Sequence, residues 1–123
     1  MDFVLKSFER MRGGELFVPK IPSSRIEDLA KAIAPEIPLR VIGIRPGEKL
    51  HEVMCPGDAS HLTLEFHDHY VIQPAISFTL AVDHSINALR ERGRPVEQGF
   101  EYNSGTNPWF LAISDLREMI ARL

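Results

Sequence analysis

Glycine and proline cut this 123-residue chain into short pieces, and they limit what it can fold into more than any other feature. Gly13-Gly14 stops an opening helical pattern, Pro19 closes a strand-like run, Pro35 and Pro38 bar a second helix from continuing, and Gly93 stops a third. Between these stops the hydrophobic period keeps changing. Phe3, Val4, Leu5, Phe8 and Met11 have helical spacing, with Lys6, Glu9, Arg10 and Arg12 between them. Glu15–Val18 reads as a strand. Ile26, Leu29, Ala30 and Ile33 give a second helix one apolar face as far as Ala34, and Ser24-Arg25-Ile26-Glu27 fits a capping box at its start. Leu39–Ile44 reads as a second strand, and Glu48–Met54 as a short helix closed near Cys55-Pro56-Gly57. Leu62, Leu64 and Phe66 alternate with Thr63 and Glu65, as in a half-buried strand that returns through Tyr70–Gln73 after a turn at His67-Asp68-His69. Asp83–Arg92 has an amphipathic helical pattern. Phe100–Trp109 is a polar loop with an aromatic at each end. Leu116, Met119, Ile120 and Leu123 stripe a last helix capped by Ser114 or Asp115.

This order predicts a mixed α/β fold, α+β-like in its short strands, as a single domain over residues 1–123. It contains no complete strand–helix–strand nucleotide fold. The first helix has almost no lead-in after Met1-Asp2 and reads as the end of a longer one. Hydrophobic residues at 44% and charged residues at 25% are the balance of a soluble globular chain. A net charge of -3 argues against a general nucleic-acid binder. The apolar runs are too short to span a bilayer, and nothing resembles a signal peptide. The single cysteine, Cys55, excludes an internal disulfide and fits a cytoplasmic setting. It reads as a small packing residue, since nothing beside it is arranged to form a thiolate.

Three groups of residues are candidates for chemistry. Arg45-Pro46-Gly47-Glu48-Lys49 follows a strand and opens a short helix, whose free amides and positive dipole end suit an anion. Arg45 adds a planar fork of donors for phosphate oxygens, while Pro46 and Gly47 stiffen the turn and admit a ligand close to the backbone. The competing reading is an ordinary loop with an Arg45–Glu48 surface ion pair, worth ~0–1 kcal/mol. The stretch Tyr102–Trp109 offers amides and hydroxyls for sugar hydroxyls and two aromatics to wall a pocket; it also reads as a surface loop pinned by Trp109 in the core. The third group is His61, Glu65, His67, Asp68 and His69. A straight strand would place Glu65, His67 and His69 on one face and allow a metal, but the segment reads better as a turn, so no metal is assigned. There is no glycine-rich dinucleotide fingerprint and no P-loop. Neither Tyr70 nor Tyr102 has a lysine four residues on, and no serine or cysteine triad is suggested.

Gly13-Gly14-Glu15-Leu16-Phe17-Val18-Pro19-Lys20-Ile21-Pro22-Ser23, and Ile42-Gly43-Ile44 running on through Arg45-Pro46-Gly47-Glu48-Lys49-Leu50-His51-Glu52-Val53-Met54, resemble the C-terminal region of the inverting UDP-N-acetylglucosamine 4,6-dehydratases. Ser60-His61-Leu62, Glu65-Phe66, Phe100-Glu101-Tyr102 and Asn107–Trp109 follow in matching order, so the resemblance covers nearly the whole chain. The family is an extended short-chain dehydrogenase/reductase that opens pseudaminic acid synthesis within bacterial polysaccharide biosynthesis. The resemblance implies a parent with an N-terminal Rossmann portion that binds NADP and carries the catalytic tyrosine and lysine. It also implies a smaller C-terminal portion that binds the nucleotide sugar. Such an enzyme oxidises the sugar at C4, eliminates water across C5 and C6, and returns the hydride with inversion at C5.

On this resemblance Arg45 contacts the UDP end, and Asn107 and Trp109 help close the substrate pocket. Glu48, Lys49 and His51 set the shape of the corner. The loop at Ser104–Trp109 is about one residue shorter than the family form and has Pro108 at a polar position. With the Rossmann portion absent, the expectation is a substrate-binding portion without catalytic residues or a cofactor of its own. It would be inactive alone, with a UDP-sugar as ligand and a Rossmann-containing partner chain or a second copy as companion. The alternative is a non-enzymatic assembly module that uses the apolar face a severed half would expose.

Overall fold

The computed structural model describes residues 2–76 and 82–122. Leu123, expected in the last apolar stripe, lies outside the described residues. The chain resolves into two compact units, each made of separated segments: Met1–Lys20 with Val53–Tyr102, and Ile21–Glu52 with Asn103–Leu123.

The first unit is built on an antiparallel hairpin. Strand β3 (Thr63–Glu65) turns at His67-Asp68 into β4 (His69–Ile72), and the Phe66 amide donates to the His69 carbonyl at 2.9 Å to close the turn. β1 (Leu16–Pro19) adds to the far side of β4, and β5 (Arg94–Pro95) to the far side of β3, giving the order β1-β4-β3-β5. Pro19 and Pro95 lie on the two edge strands, where a missing amide donor costs least.

The two faces of this sheet follow from the two-residue period. Val18 lies opposite Tyr70, and with Cys55 and Tyr102 they make one buried cluster. Phe17 lies opposite Val71, which lies opposite Leu64, and with Phe66 these make the other. Fully burying one such side chain contributes about 1.5–3 kcal/mol. α1 (Asp2–Arg10) precedes β1, and Gly13 and Gly14 after it take φ of 115° and 85°, as its expected glycine stop requires. A 3₁₀ helix (Gly57–Leu62) leads into β3. β2 (Val53–Cys55) pairs with β6 (Tyr102–Asn103) as a two-stranded ribbon.

The second unit holds α2 (Ile26–Ile33) and α3 (Ile113–Ala121), packed on each other. Ser23 bridges Phe110 in parallel: its amide donates to the Trp109 carbonyl at 2.8 Å, and its carbonyl accepts from the Leu111 amide at 2.9 Å. The Asp115 carboxylate accepts from the Ala112 amide at 2.8 Å at the start of α3.

Four expected elements take other forms. Asp83–Arg92 is not a helix. The Asp83 carboxylate takes the Ser85 amide and the Asn87 side chain takes the Glu91 amide, both at 2.9 Å, so side chains outcompete the helical ladder. Leu39–Ile44 forms no strand, because none of the described residues of its unit supplies a ladder for its amides and carbonyls. Glu48–Met54 is not a helix; a turn comes first and its end joins β2. The Ser24–Glu27 capping box is not made, since α2 starts with Arg25 as its cap and no side chain bonds there. No helix among the described residues is long and apolar enough to cross a membrane.

Candidate functional site

The Arg45–Lys49 corner lies in the second unit as an isolated β-turn. The Glu48 amide donates to the Arg45 carbonyl at 3.1 Å, with proline and then glycine between them and Gly47 at φ 85°. That is the residue pattern of a type II turn, whose third position demands a positive φ. The Glu48 carboxylate folds back over the turn. It accepts from the Arg45 amide at 2.8 Å and sits 3.6 Å from the Arg45 Nε. The expected ion pair is therefore formed, and the expected helix start is not, so no helix dipole adds to the corner. The Arg45 side chain is 77% exposed. Its terminal guanidinium nitrogens have no hydrogen-bond partner among the described residues, which leaves the fork open to a ligand. Lys49 is exposed beside it.

The polar loop is shaped by its own side chains. Asn103 Oδ1 accepts from the amides of Gly105 at 2.8 Å and Thr106 at 2.9 Å, an Asx turn. The Ser104 amide donates to the Glu52 carbonyl at 2.9 Å, and the Glu52 amide donates to Ser104 Oγ at 3.0 Å. Next to this exchange Gly105 lies against His51 so closely that a β-carbon would meet the ring at 2.7 Å. The tail of the corner segment, His51-Glu52, and the loop, Ser104-Gly105, are thus joined within one unit.

Asn107 and Trp109 have different situations. Asn107 is buried, and its amide nitrogen donates to the Ile21 carbonyl at 2.8 Å and to Ser23 Oγ at 3.1 Å. Its oxygen accepts from the Trp109 amide at 3.1 Å. Both Asn107 donor hydrogens are thereby engaged by the protein, and the residue anchors the loop. Trp109 is not a core pin; it is 54% exposed and presents ring surface to solvent.

The histidines do not converge. His61 and His67 are exposed, whereas His69 is buried, hydrogen-bonded through Nδ1 to Asp68 at 2.8 Å and stacked on Phe66 and Phe17. Among the described residues no group of three His, Cys, Asp or Glu side chains is gathered for a metal. Cys55 is fully buried and free, and burial pushes its thiol up to about 11. Lys20 lies over the face of Tyr70, 4.9 Å from the ring centre. Burial, with Glu65 nearby, pushes the Tyr70 phenol up to about 12, the opposite of what proton transfer near neutral pH needs. Local sequence reasoning missed the network in which buried Arg10 holds Asp68 and Glu91 at 3.0 and 2.7 Å. Its partners lie 58 and 81 residues away, and no local pattern points to them.

This corner and loop are carried on a mixed α/β fold of small antiparallel sheets. Residues 1–74 match the family described as polysaccharide biosynthesis protein, and the chain belongs to it. It is 54% identical over 121 residues to the UDP-N-acetylglucosamine 4,6-dehydratase (inverting) of Campylobacter jejuni serotype O:2, and 51% identical to that of serotype O:23/36. Each alignment covers 98% of this chain, and the chain spans 36% of the length of either relative. The X-ray structure of Pen from Bacillus thuringiensis superposes over 96% of this chain and 34% of its own with a TM-score of 0.70; at 24% identity it speaks for the fold alone.

Proposed function

We propose that this chain is the nucleotide-sugar-binding portion of a UDP-N-acetylglucosamine 4,6-dehydratase in bacterial surface-sugar biosynthesis. The observation that carries this reading is the junction of His51-Glu52 with Ser104-Gly105. It holds in one unit the two segments that residue chemistry marks as anion-binding and sugar-binding, within a chain 54% identical to such an enzyme. In this reading the Arg45 fork takes diphosphate oxygens, with Glu48 fixing its base and Lys49 adding charge. Trp109 walls the sugar, and Asn107 and His51 keep the loop in place. Tyr70, Tyr102 and Cys55 take no part in proton or hydride transfer. The resemblance implies that the hydride and the acid/base groups come from an NADP-binding portion outside residues 1–123, so in this reading these residues bind and orient substrate and turn nothing over by themselves.

Calorimetry with UDP-N-acetylglucosamine tests the binding. Affinity in the micromolar to millimolar range that falls at least tenfold in Arg45→Ala supports it, and a titration without heat rejects it. A 4-keto product from the purified chain with UDP-N-acetylglucosamine and NADP would contradict the inactivity.

A second reading, an assembly module, is favoured by the apolar side of α1, where Val4 is 56%, Leu5 60% and Phe8 66% exposed. Absence of sugar binding together with concentration-dependent association in sedimentation would favour it.

A further inference from the structure

We propose that the first unit carries a second anion site, specific for a diphosphate group, between the end of α1 and the loop that replaces the expected third helix. It shares no residue with the Arg45 corner.

The loop is a closed hairpin. Ile86 and Arg92 form an antiparallel bridge, and the Gly93 amide donates to the Ser85 carbonyl at 2.8 Å. Inside it the Asn87 amide donates to the Glu91 carbonyl at 3.1 Å, and the Arg90 amide to the Asn87 carbonyl at 3.0 Å. Two buried polar side chains hold it from beneath. Asn87, 5% exposed, donates to Glu91 Oε2 at 2.6 Å, and Arg10, 1% exposed, donates to the same oxygen at 2.7 Å. The Ala88 amide is tied to the Arg10 carbonyl at 2.9 Å. This framework sets Arg90 in the left-handed region at φ 64°, a conformation a non-glycine residue seldom adopts.

The result is an open cavity of about 590 Å³ lined by Arg12, Arg90 and Arg92, with Met11 and Ile86 as apolar wall. That volume lies within the ~300–1,000 Å³ of small-molecule sites. Arg12 is braced by donating to the Ile86 carbonyl at 3.1 Å. None of the three guanidinium groups has a carboxylate within ion-pair distance among the described residues. The neighbouring acids are committed elsewhere. Glu91 and Asp68 bond Arg10, Glu15 takes the amides of Arg12 and Gly13, and Asp83 takes the Ser85 amide and feels Arg12 only at a distance. A chain with a net charge of -3 thus gathers three unneutralised guanidiniums on one concavity. Planar forks of donors match phosphate oxygens, and two linked phosphates can engage more than one fork at once.

The test is an amide-resolved NMR titration of the whole chain with inorganic pyrophosphate, then with UDP, against sodium sulfate at equal ionic strength. Pyrophosphate should move the Asn87–Gly93 amides saturably. The movement should weaken at least tenfold in Arg90→Gly/Arg92→Gln, where glycine suits the backbone angle, and also in Arg12→Gln, while Arg45→Ala leaves it in place. Shifts from UDP at the same amides would identify a nucleotide diphosphate as a source, and shifts from pyrophosphate alone a free diphosphate. Unmoved amides at millimolar pyrophosphate, equal shifts with sulfate, or shifts that survive both arginine variants would overturn the site. Failure at Asn87–Gly93 leaves sugar binding at Arg45 untouched, so the two proposals fall separately.

Discussion

Arg10 places one terminal nitrogen, Nη2, 3.0 Å from each carboxylate oxygen of Asp68, 58 residues further along the chain. Its Nε meets Glu91 at 2.7 Å. One guanidinium at the end of α1 thereby fastens both the hairpin turn and the Ser85–Gly93 loop.

Replacing Arg10 with leucine should therefore destabilise the first unit. It leaves two carboxylates without their cation. Breaking a buried pair costs ~3–5 kcal/mol, and because Asp68 and Glu91 are 39% and 38% exposed, a loss of about 2–3 kcal/mol is expected. Urea unfolding midpoints at neutral pH measure it, and a change under 1 kcal/mol would show that the network contributes little.

Acid should weaken the same region in two stages. Burial holds His69 below its usual 6.5 despite its bond to Asp68, so the unfolded chain takes up that proton first and stability declines as pH falls through about 6.5. Burial alone would raise Asp68, but hydrogen bonds from His69 and Arg10 outweigh it and bring the carboxyl down to about 2. Glu91 is lowered mainly by Arg10. Carboxylates depressed in the folded state stabilise it above their unfolded values, and for Asp68 that contribution disappears between about 4 and about 2. Denaturation midpoints across pH 2–8 should show both declines; His69→Phe should abolish the upper one and, by removing a hydrogen bond to Asp68, also reduce the lower one.

Gly105→Ala should disturb the corner through contact alone. The added methyl meets the His51 ring at 2.7 Å, and forced overpacking costs about 1–3 kcal/mol. If that contact is the cause, His51→Ala in the same chain recovers most of the loss in thermal unfolding; an undiminished loss would point elsewhere.

Asn107→Leu should cost about 1–3 kcal/mol by removing the acceptor of the Trp109 amide and the bond to Ser23 Oγ. It should weaken UDP-sugar binding by loosening the loop. Trp109→Ala, at a half-exposed ring, should weaken binding with little change in stability. Equal stability losses in the two variants would contradict this division of roles.

Cys55 should resist alkylation by iodoacetamide at pH 8 in the native chain and react once urea unfolds it. Its thiol is fully buried and pushed up to about 11. Mass spectrometry of the alkylated chain gives the ratio, and fast native modification would contradict the burial.

The two-residue period at Leu64 and Phe66 made the hairpin readable, because one face of a strand writes its burial directly into the sequence. The glycine stop at Gly13-Gly14 and the apolar spacing before it did the same for α1. Asp83–Arg92 misled for a physical reason. Its apolar spacing suits a helix, but Asn87 and the distant Arg10 hold its backbone and its acid in a hairpin that no local pattern encodes. Of the candidate site, Pro46-Gly47 fixed the turn and exposed Arg45 within a few residues of sequence. The bonding of Glu52 to Ser104 spans 52 residues and could emerge only from the fold.

Each of the two units is stitched from two separated lengths of chain, with changes from one unit to the other after Lys20, Glu52 and Tyr102. Neither can be gained or lost as one continuous stretch of gene. Only a cut after Glu52 takes a piece from both units; removing residues 1–20 breaks the first alone, and removing residues 103–123 the second alone.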